Sequence, residues 1–392
     1  LVFRMKKNAV GLATIAILSS MVLVTLVGAA SIYAGKKDYL VSAAPHDYSV
    51  SGNKVDLTST KKLMDDFLIK TGEQANEEVA VSYLLFGIKN QETNKLTVFT
   101  KNERKVVPKS IVLVFSQETF KQLTGKELNL SSNQIALYTK NKTLKTQKSL
   151  SIDGKNYQIH RQIGDFINKK VPNIYKIIVS DYSYLVVPDI KIFESSMKGT
   201  SIAQATYVGV NVKDPTHDAK KNLDLLDQIA GEATKQLAGQ TTGVPESYFS
   251  ANSRYDAEGM VNGFVGGTFF IGIFLSIIFM LGTVLVIYYK QISEGYEDRE
   301  RFVILQKIGL DDLQVKQTIR KQVLTVFFLP LIFAFIHLAF AYHMISLIVR
   351  IIGVLNPDLM LVVTIIVCGV FFLAYIMVFV LTSRSYRRIV SM

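Results

Sequence analysis

Five histidines and one cysteine are the residues of this chain best suited to metal or nucleophilic chemistry, and their spacing supports neither. His46, His160 and His217 are scattered, and no pair stands at the short interval that zinc ligands use. His337 and His343 fall together in an apolar run. Six residues apart, they lie on different sides of a helix, so a packing role through hydrogen bonds is expected rather than a shared proton or metal site. Cys368 is alone, which excludes an intrachain disulfide. No serine sits in a Gly-x-Ser-x-Gly elbow. Gly35-Lys36-Lys37 and Gly125-Lys126-Glu127 lack the upstream glycine and the hydroxyl residue of a phosphate-binding loop. The sequence therefore offers no catalytic residue, no metal site and no cofactor site.

The residues that do stand out are charged ones set close to apolar ones. From Tyr288 the chain reads YYKQISEGYEDRERF to Phe302 and continues VILQKIGL to Leu310. This spacing predicts a short helix. Ser293 can cap its start, with Glu294, Glu297 and Asp298 at the positive end of the helix dipole. Lys307 lies at the other end, and Gly309 suits the left-handed residue that ends a helix. Asp311 would open the next helix. Phe302, Leu305 and Ile308 recur at helical spacing beside a highly charged face. Such a helix can lie on a membrane surface or dock into the groove of a soluble partner.

The elements that must hold this segment are defined by missing charge. No Asp, Glu, Lys or Arg occurs in 8–35, 259–289, 322–349 or 359–383. At roughly 1.5 Å per residue, each run is long enough to cross a hydrocarbon core of roughly 30 Å. The composition agrees, with 49% hydrophobic and 19% charged residues, where soluble domains have about 25% charged. Lys and Arg cluster at Arg4, Lys6 and Lys7, then across 290–321 (Lys290, Arg299, Arg301, Lys307, Lys316, Arg320, Lys321), and at Arg384, Arg387 and Arg388 in the tail 384–392. The short loop between spans three and four holds only Arg350 and Asp358. With basic loops inside, both termini and 290–321 are cytoplasmic and 36–258 is outside. The first run could be a signal peptide, with Gly28-Ala29-Ala30 as its cleavage site. Its apolar stretch from Val10 to Ala34 exceeds a signal-peptide core, so an uncleaved span is expected.

The fold class expected is an α-helical integral membrane protein with four transmembrane helices and a large α+β extracellular domain inserted between helices 1 and 2. In that domain, 58–70 and 217–237 read as helices, the first with cap-type Thr58 and Ser59. Strand-like runs are 79–88, 95–100, 110–115, 134–138, 175–180, 185–187 and 205–212. Ser116 to Thr119 reads as a helix start and Gly125 as its stop. The net charge of +12 divides between inner anchors and the outer domain, and with no nucleic-acid motif it excludes a nucleic-acid partner. Lys101 to Leu150 carries ten Lys or Arg against three Glu. It is either a solvated face or a surface for anionic headgroups or pyrophosphate. Within the membrane, Gly263 and Gly267 form a Gly-x-x-x-Gly pair expected to pack against another span. Pro330 is expected to kink span three.

The string YYKQISEGYEDRERFVILQKIGL, followed by a span that begins QVLTVFFLP, resembles the FtsX/MacB-like ABC transporter permeases. Within them it is most similar to the C-terminal half of the bacitracin-export-type permeases that confer antimicrobial-peptide resistance. The resemblance implies a bacterial plasma-membrane protein that works with a separate cytoplasmic ABC ATPase subunit. The inner helix would be the coupling element, carried by Glu297, Asp298, Arg299, Arg301 and Phe302. Hydrolysis would then move the extracellular domain. It also implies a sensor histidine kinase as partner, and recognition of a peptide antibiotic or a lipid-linked cell-wall precursor. Bacitracin-type permeases are like two such halves in tandem. The chain is therefore expected to be a C-terminal fragment, as Leu1 suggests, or else a half-size permease working as a homodimer. Competing expectations are an FtsX-type regulator of cell-wall hydrolases, a lipid or drug export permease, and a receptor with no ATPase.

Overall fold

The computed structural model describes residues 2–103, 108–172, 179, 181–214, 218–238, 246–307, 312–352, 354 and 356–390. The chain divides into two compact units, one of Lys37–Asn262 and one of Leu1–Lys36 with Gly263–Met392.

The first unit is built on strands β1 (Tyr48–Asn53), β2 (Ala75–Glu92), β3 (Lys95–Val98), β4 (Ser110–Ser116), β5 (Gln134–Thr139), β6 (Ser149–Ile152), β7 (Lys155–Gln162), β8 (Asp181–Val187), β9 (Ile202–Val212) and β10 (Tyr248–Ser253). They form one sheet in the order β10-β1-β9-β2-β3-β6-β7-β5-β8-β4, and a further β2–β4 pairing closes the segment from β2 to β4 into a ring. Closure removes two free strand edges that would otherwise invite pairing with other chains. Strand β2 can serve both parts because it is long. Its residues 75–86 pair with β9, 84–88 with β4 and 88–92 with β3.

Strand alternation explains where the core lies. In β4, Ile111, Leu113 and Phe115 pack into one cluster, while Val112 and Val114 pack into another on the opposite face. In β8, Tyr182, Tyr184 and Val186 join the first cluster, and Leu185 and Val187 the second. Strands buried on both faces need continuous apolar runs rather than alternation, which is what SIVLVF at 110–115 supplies. A third cluster joins Tyr48, Val50, Val208 and Val210 to helix residues Met64, Phe67, Leu226 and Ile229.

Helices α1 (Val2–Ala34), α2 (Lys36–Ala43), α3 (Leu57–Thr71), α4 (Gln117–Thr124), α5 (Lys142–Lys145), α6 (Ile190–Ser196), α7 (Ala219–Ala238), α8 (Arg254–Lys307), α9 (Asp312–Ile351) and α10 (Pro357–Val390) complete the described residues. Helix α3 is already under way at Leu57, ahead of the expected caps Thr58 and Ser59. Its N-cap is Asp56, whose carboxylate accepts from Ser59 N at 2.9 Å, a better acceptor than either hydroxyl. Helix α4 is capped by Ser116 and stopped by Gly125 at φ 70°, as expected. Of the expected strands, residues 175–178 and 180 lie outside the described residues, as do His217, Gly309 and Asp311.

Among the described residues, four helices are long and apolar enough to cross a membrane: Ala9–Ala34, Arg254–Glu297, Phe327–Ile351 and Pro357–Thr382. One correction concerns the second. Ser293 does not start a separate helix, because α8 continues unbroken from Arg254 to Lys307. Lys290, Gln291, Glu294 and Glu297 are all good helix formers, and no Pro or exposed Gly interrupts them. The N–H groups that Ser293 would cap are already bonded within the helix.

Candidate functional site

Along the 290–321 segment, α8 has two faces. Gln291 and Gly295, one turn apart, are buried, whereas Tyr296, Glu297 and Arg299 are exposed. Ile304 is exposed further along the helix. The side chains of Asp298, Arg301 and Phe302 lie outside the described residues. Glu297 and Arg299, two residues apart, therefore present both charges at the surface of one rigid element. Such a surface can be gripped by a partner. Neither amide atom of Gln291 has a hydrogen-bond partner among the described residues.

The first span packs on the others through small residues. A Cβ added at Gly272 would stand 2.3 Å from the Cβ of Ala29, so α1 and α8 approach there as closely as glycine allows. Next to this contact, Thr25 Oγ1 and Ser276 Oγ are 3.0 Å apart, and the rings of Tyr33 and Phe269 stack at 4.5 Å. At Gly263 and Gly267 a Cβ would meet open space, so neither makes a close approach within the described residues. The close contact falls instead at Gly272, one helical turn and more beyond the Gly-x-x-x-Gly pair. Between α9 and α10, Tyr375 donates its hydroxyl to the Phe327 carbonyl at 2.9 Å. His337 Nδ1 lies 3.0 Å from Ser20 Oγ on α1, the hydrogen-bonded role expected of it. His343 is exposed.

Among the described residues of the Lys37–Asn262 unit, Asp47, His46, Tyr207 and Arg254 form a dense polar cluster that the sequence did not single out. Arg254 donates Nη1 to Asp47 Oδ1 at 3.0 Å and Nε to the Ala44 carbonyl at 3.2 Å, and Nη2 to the Pro45 carbonyl. Asp47 Oδ2 accepts from Val212 N at 3.0 Å. The neighbouring His46 is 3% exposed, with Nδ1 2.8 Å from the Tyr207 hydroxyl. Burial lowers the His46 pKa to about 4, and the Arg254 charge works in the same direction against Glu77 and Asp47. His46 is thus neutral at pH 7. Burial likewise raises the Tyr207 pKa. The cluster ties the start of the unit to its end, since Asp47 precedes β1 and Arg254 follows β10. The sequence signal for it was weak: a lone Asp and a lone Arg over 200 residues apart.

No group of three or more His, Cys, Asp or Glu among the described residues could hold a metal ion. In the basic stretch 101–150, Glu103 pairs with Lys89 and Glu127 with Lys121, both at 2.5 Å. Exposed pairs of this kind contribute about 0–1 kcal/mol. They leave the stretch with a net positive surface.

What these observations define first is a class: a polytopic helical membrane protein that also carries a soluble, β-rich domain. Comparison with known proteins narrows it. The chain is 36% identical over 72 residues to the ABC transporter permease protein YxdM of Bacillus subtilis, a match covering 18% of this chain and 12% of that protein. It is 29% identical over 121 residues to an uncharacterized ABC transporter permease, YvcS, of the same organism, covering 31% and 18%. It is 28% identical over 140 residues to the bacitracin export permease protein BceB of Bacillus subtilis, covering 36% and 19%. These similarities support the ABC transporter permease family, as the loop resemblance had indicated. Each match spans less than a fifth of the relative's own length. No family model matches the chain. A solved Bacillus anthracis protein described as a lipoprotein aligns with 53% of this chain and 96% of its own, at 11% identity and a TM-score of 0.26, which carries no argument.

Proposed function

We propose that this chain is the permease subunit of an ABC transporter in the bacterial plasma membrane, working with a separate cytoplasmic ATPase. The observation that carries the reading is similarity to three permeases combined with four apolar helices. In this reading the termini and the 290–321 segment face the cytoplasm, and the β-rich domain faces outward. The exposed charges of Glu297 and Arg299 then form part of the surface on which the ATPase rests. ATP hydrolysis moves the outer domain, and the activity served is resistance to, and sensing of, a bacitracin-like peptide antibiotic or its lipid-linked cell-wall target. The bacitracin export permease among the relatives supports that substrate class. A sensor histidine kinase is the partner that sensing requires.

The test is charge reversal, Glu297→Lys with Asp298→Lys. Resistance and permease-stimulated ATP hydrolysis should fall together while the membrane level of the protein is unchanged. Full activity in the double variant would remove this segment from coupling. Labelling of a cysteine placed at Tyr296 from outside intact cells would overturn the orientation itself.

A further inference from the structure

The Lys37–Asn262 unit divides its charge unevenly. Residues 84–201, which build most of the closed ring of strands, carry 19 Lys or Arg against nine Asp or Glu. Residues 37–83 and 202–262, which hold β1, β9, β10, α3 and α7, carry ten against 16. Gathering like charges costs a folded unit self-repulsion, so stability alone does not ask for this split. Strand register brings cations of the ring to one end. β2 starts with Ala75 opposite Val212, whose N–H bonds Asp47, and reaches Ile88 opposite Ser110. Ser110 stands opposite Asp181 on β8, Thr139 on β5 opposite Ser183, and Leu137 opposite Gln162 on β7. Ile159 N on β7 donates to the Lys148 carbonyl at 2.9 Å. Lys109, Lys140, Lys148 and Arg161 therefore share the strand ends remote from the Asp47–Arg254 tie, and α5 adds Lys142 and Lys145 directly after β5. All six are exposed. Among the described residues, Lys142, Lys145, Lys148 and Arg161 enter no ion pair. Asp181 lies among them and accepts from Asn141 Nδ2 at 3.1 Å.

Three features of this end select its partner. At about 4.8 Å per strand, the neighbouring strands β6, β7, β5, β8 and β4 spread the cations over roughly 20 Å, far wider than one phosphate or pyrophosphate group. Five of the six are lysines, whose ammonium groups are hydrated point charges without the fork that grips a single carboxylate or phosphate. Among the described residues, no large hydrophobic side chain between Ile69 and Ile192 is exposed, so neither acyl chains nor unstacked bases find a surface there. We propose that this end of the unit binds a linear polyanion, a polymer whose anionic groups recur along a chain without bases or acyl groups, through the sum of many point-charge contacts. The inference is independent of the permease reading and of the coupling role given to the 290–321 segment.

The test follows the fluorescence anisotropy of end-labelled long-chain inorganic polyphosphate with the full chain in an uncharged detergent. Lys142→Gln with Lys145→Gln should weaken binding about tenfold at low salt, and should make the slope of log affinity against log salt shallower by about 1.4, the counterions that two contacts release on a flexible strand. Lys148→Gln with Arg161→Gln should do the same. Two control pairs remove equal charge elsewhere, Lys220→Gln with Lys221→Gln on α7 and Arg384→Gln with Arg387→Gln in the tail, and each should leave the affinity within about twofold. The substituted side chains on the soluble unit are exposed, so its thermal unfolding should be unchanged. Pyrophosphate at equal phosphate concentration should not compete. Absence of polyphosphate binding, or a control pair that weakens it as far as Lys142→Gln with Lys145→Gln, would overturn the proposal. So would displacement by pyrophosphate, or tighter binding of an oligodeoxynucleotide of equal charge, which would show a single-anion site or a base-stacking one.

Discussion

Lowering the pH should weaken the soluble unit through one residue, His46. In the unfolded chain its pKa is the ordinary 6.5, and in the folded unit burial brings it to about 4. The folded state thus holds the neutral ring while the unfolded state takes up a proton, so the stability from this residue is complete above pH 6.5 and is lost as pH falls towards 4. Each pH unit separating the two states' pKa values corresponds to about 1.4 kcal/mol, so the loss between pH 7 and pH 4 is about 3 kcal/mol. That is a large share of the roughly 5–15 kcal/mol by which domains are stable. The assay is urea unfolding of the full chain in detergent, followed by tyrosine fluorescence, because the sequence contains no tryptophan. Other groups titrate in the same window, so the comparison is with His46→Gln, which can still bond the Tyr207 hydroxyl but cannot take a proton. The wild-type chain should lose about 3 kcal/mol more than the variant over that range. Equal pH dependence in the two chains would refute the claim that His46 is buried neutral.

Arg254→Met should destabilise the same unit by about 2–4 kcal/mol, because it leaves the buried Asp47 carboxylate without its cation, supported by the Val212 N–H alone of the two donors described above; urea midpoints at pH 7 check it, and Asp47→Asn with Arg254→Met should recover part of the loss. Gly209→Ala should cost about 1–3 kcal/mol, since its Cβ would stand 2.4 Å from His46 Nδ1 and 2.5 Å from the Tyr207 hydroxyl; thermal unfolding reads it. In the membrane unit, Gly272→Val should lower the yield of monodisperse protein in detergent, because the side chain meets Ala29, whereas Gly263→Val should leave that yield unchanged in the isolated chain.

By itself, the sequence marked four apolar runs, and among the described residues four helices are long and apolar enough to cross a membrane. Charge-free runs of that length have no other stable home, since a helix satisfies its own backbone and lipid accepts every side chain in it. It also determined β4 and its continuation into α4, where an unbroken apolar run meets a serine cap and a glycine stop. It misjudged the start of α3 and the break at Ser293, because local cap-type residues do not act where a better carboxylate or a continuing helix supplies the backbone bonds. Strands β1, β6, β7 and β10 were not legible. They are short or polar, and β1 and β10 exist because β9 and each other offer ladders, which is a long-range fact. The same holds for the Asp47–Arg254 tie and for the Ser20–His337 contact. Each joins residues more than 200 positions apart, and only the folded chain brings them within hydrogen-bond reach.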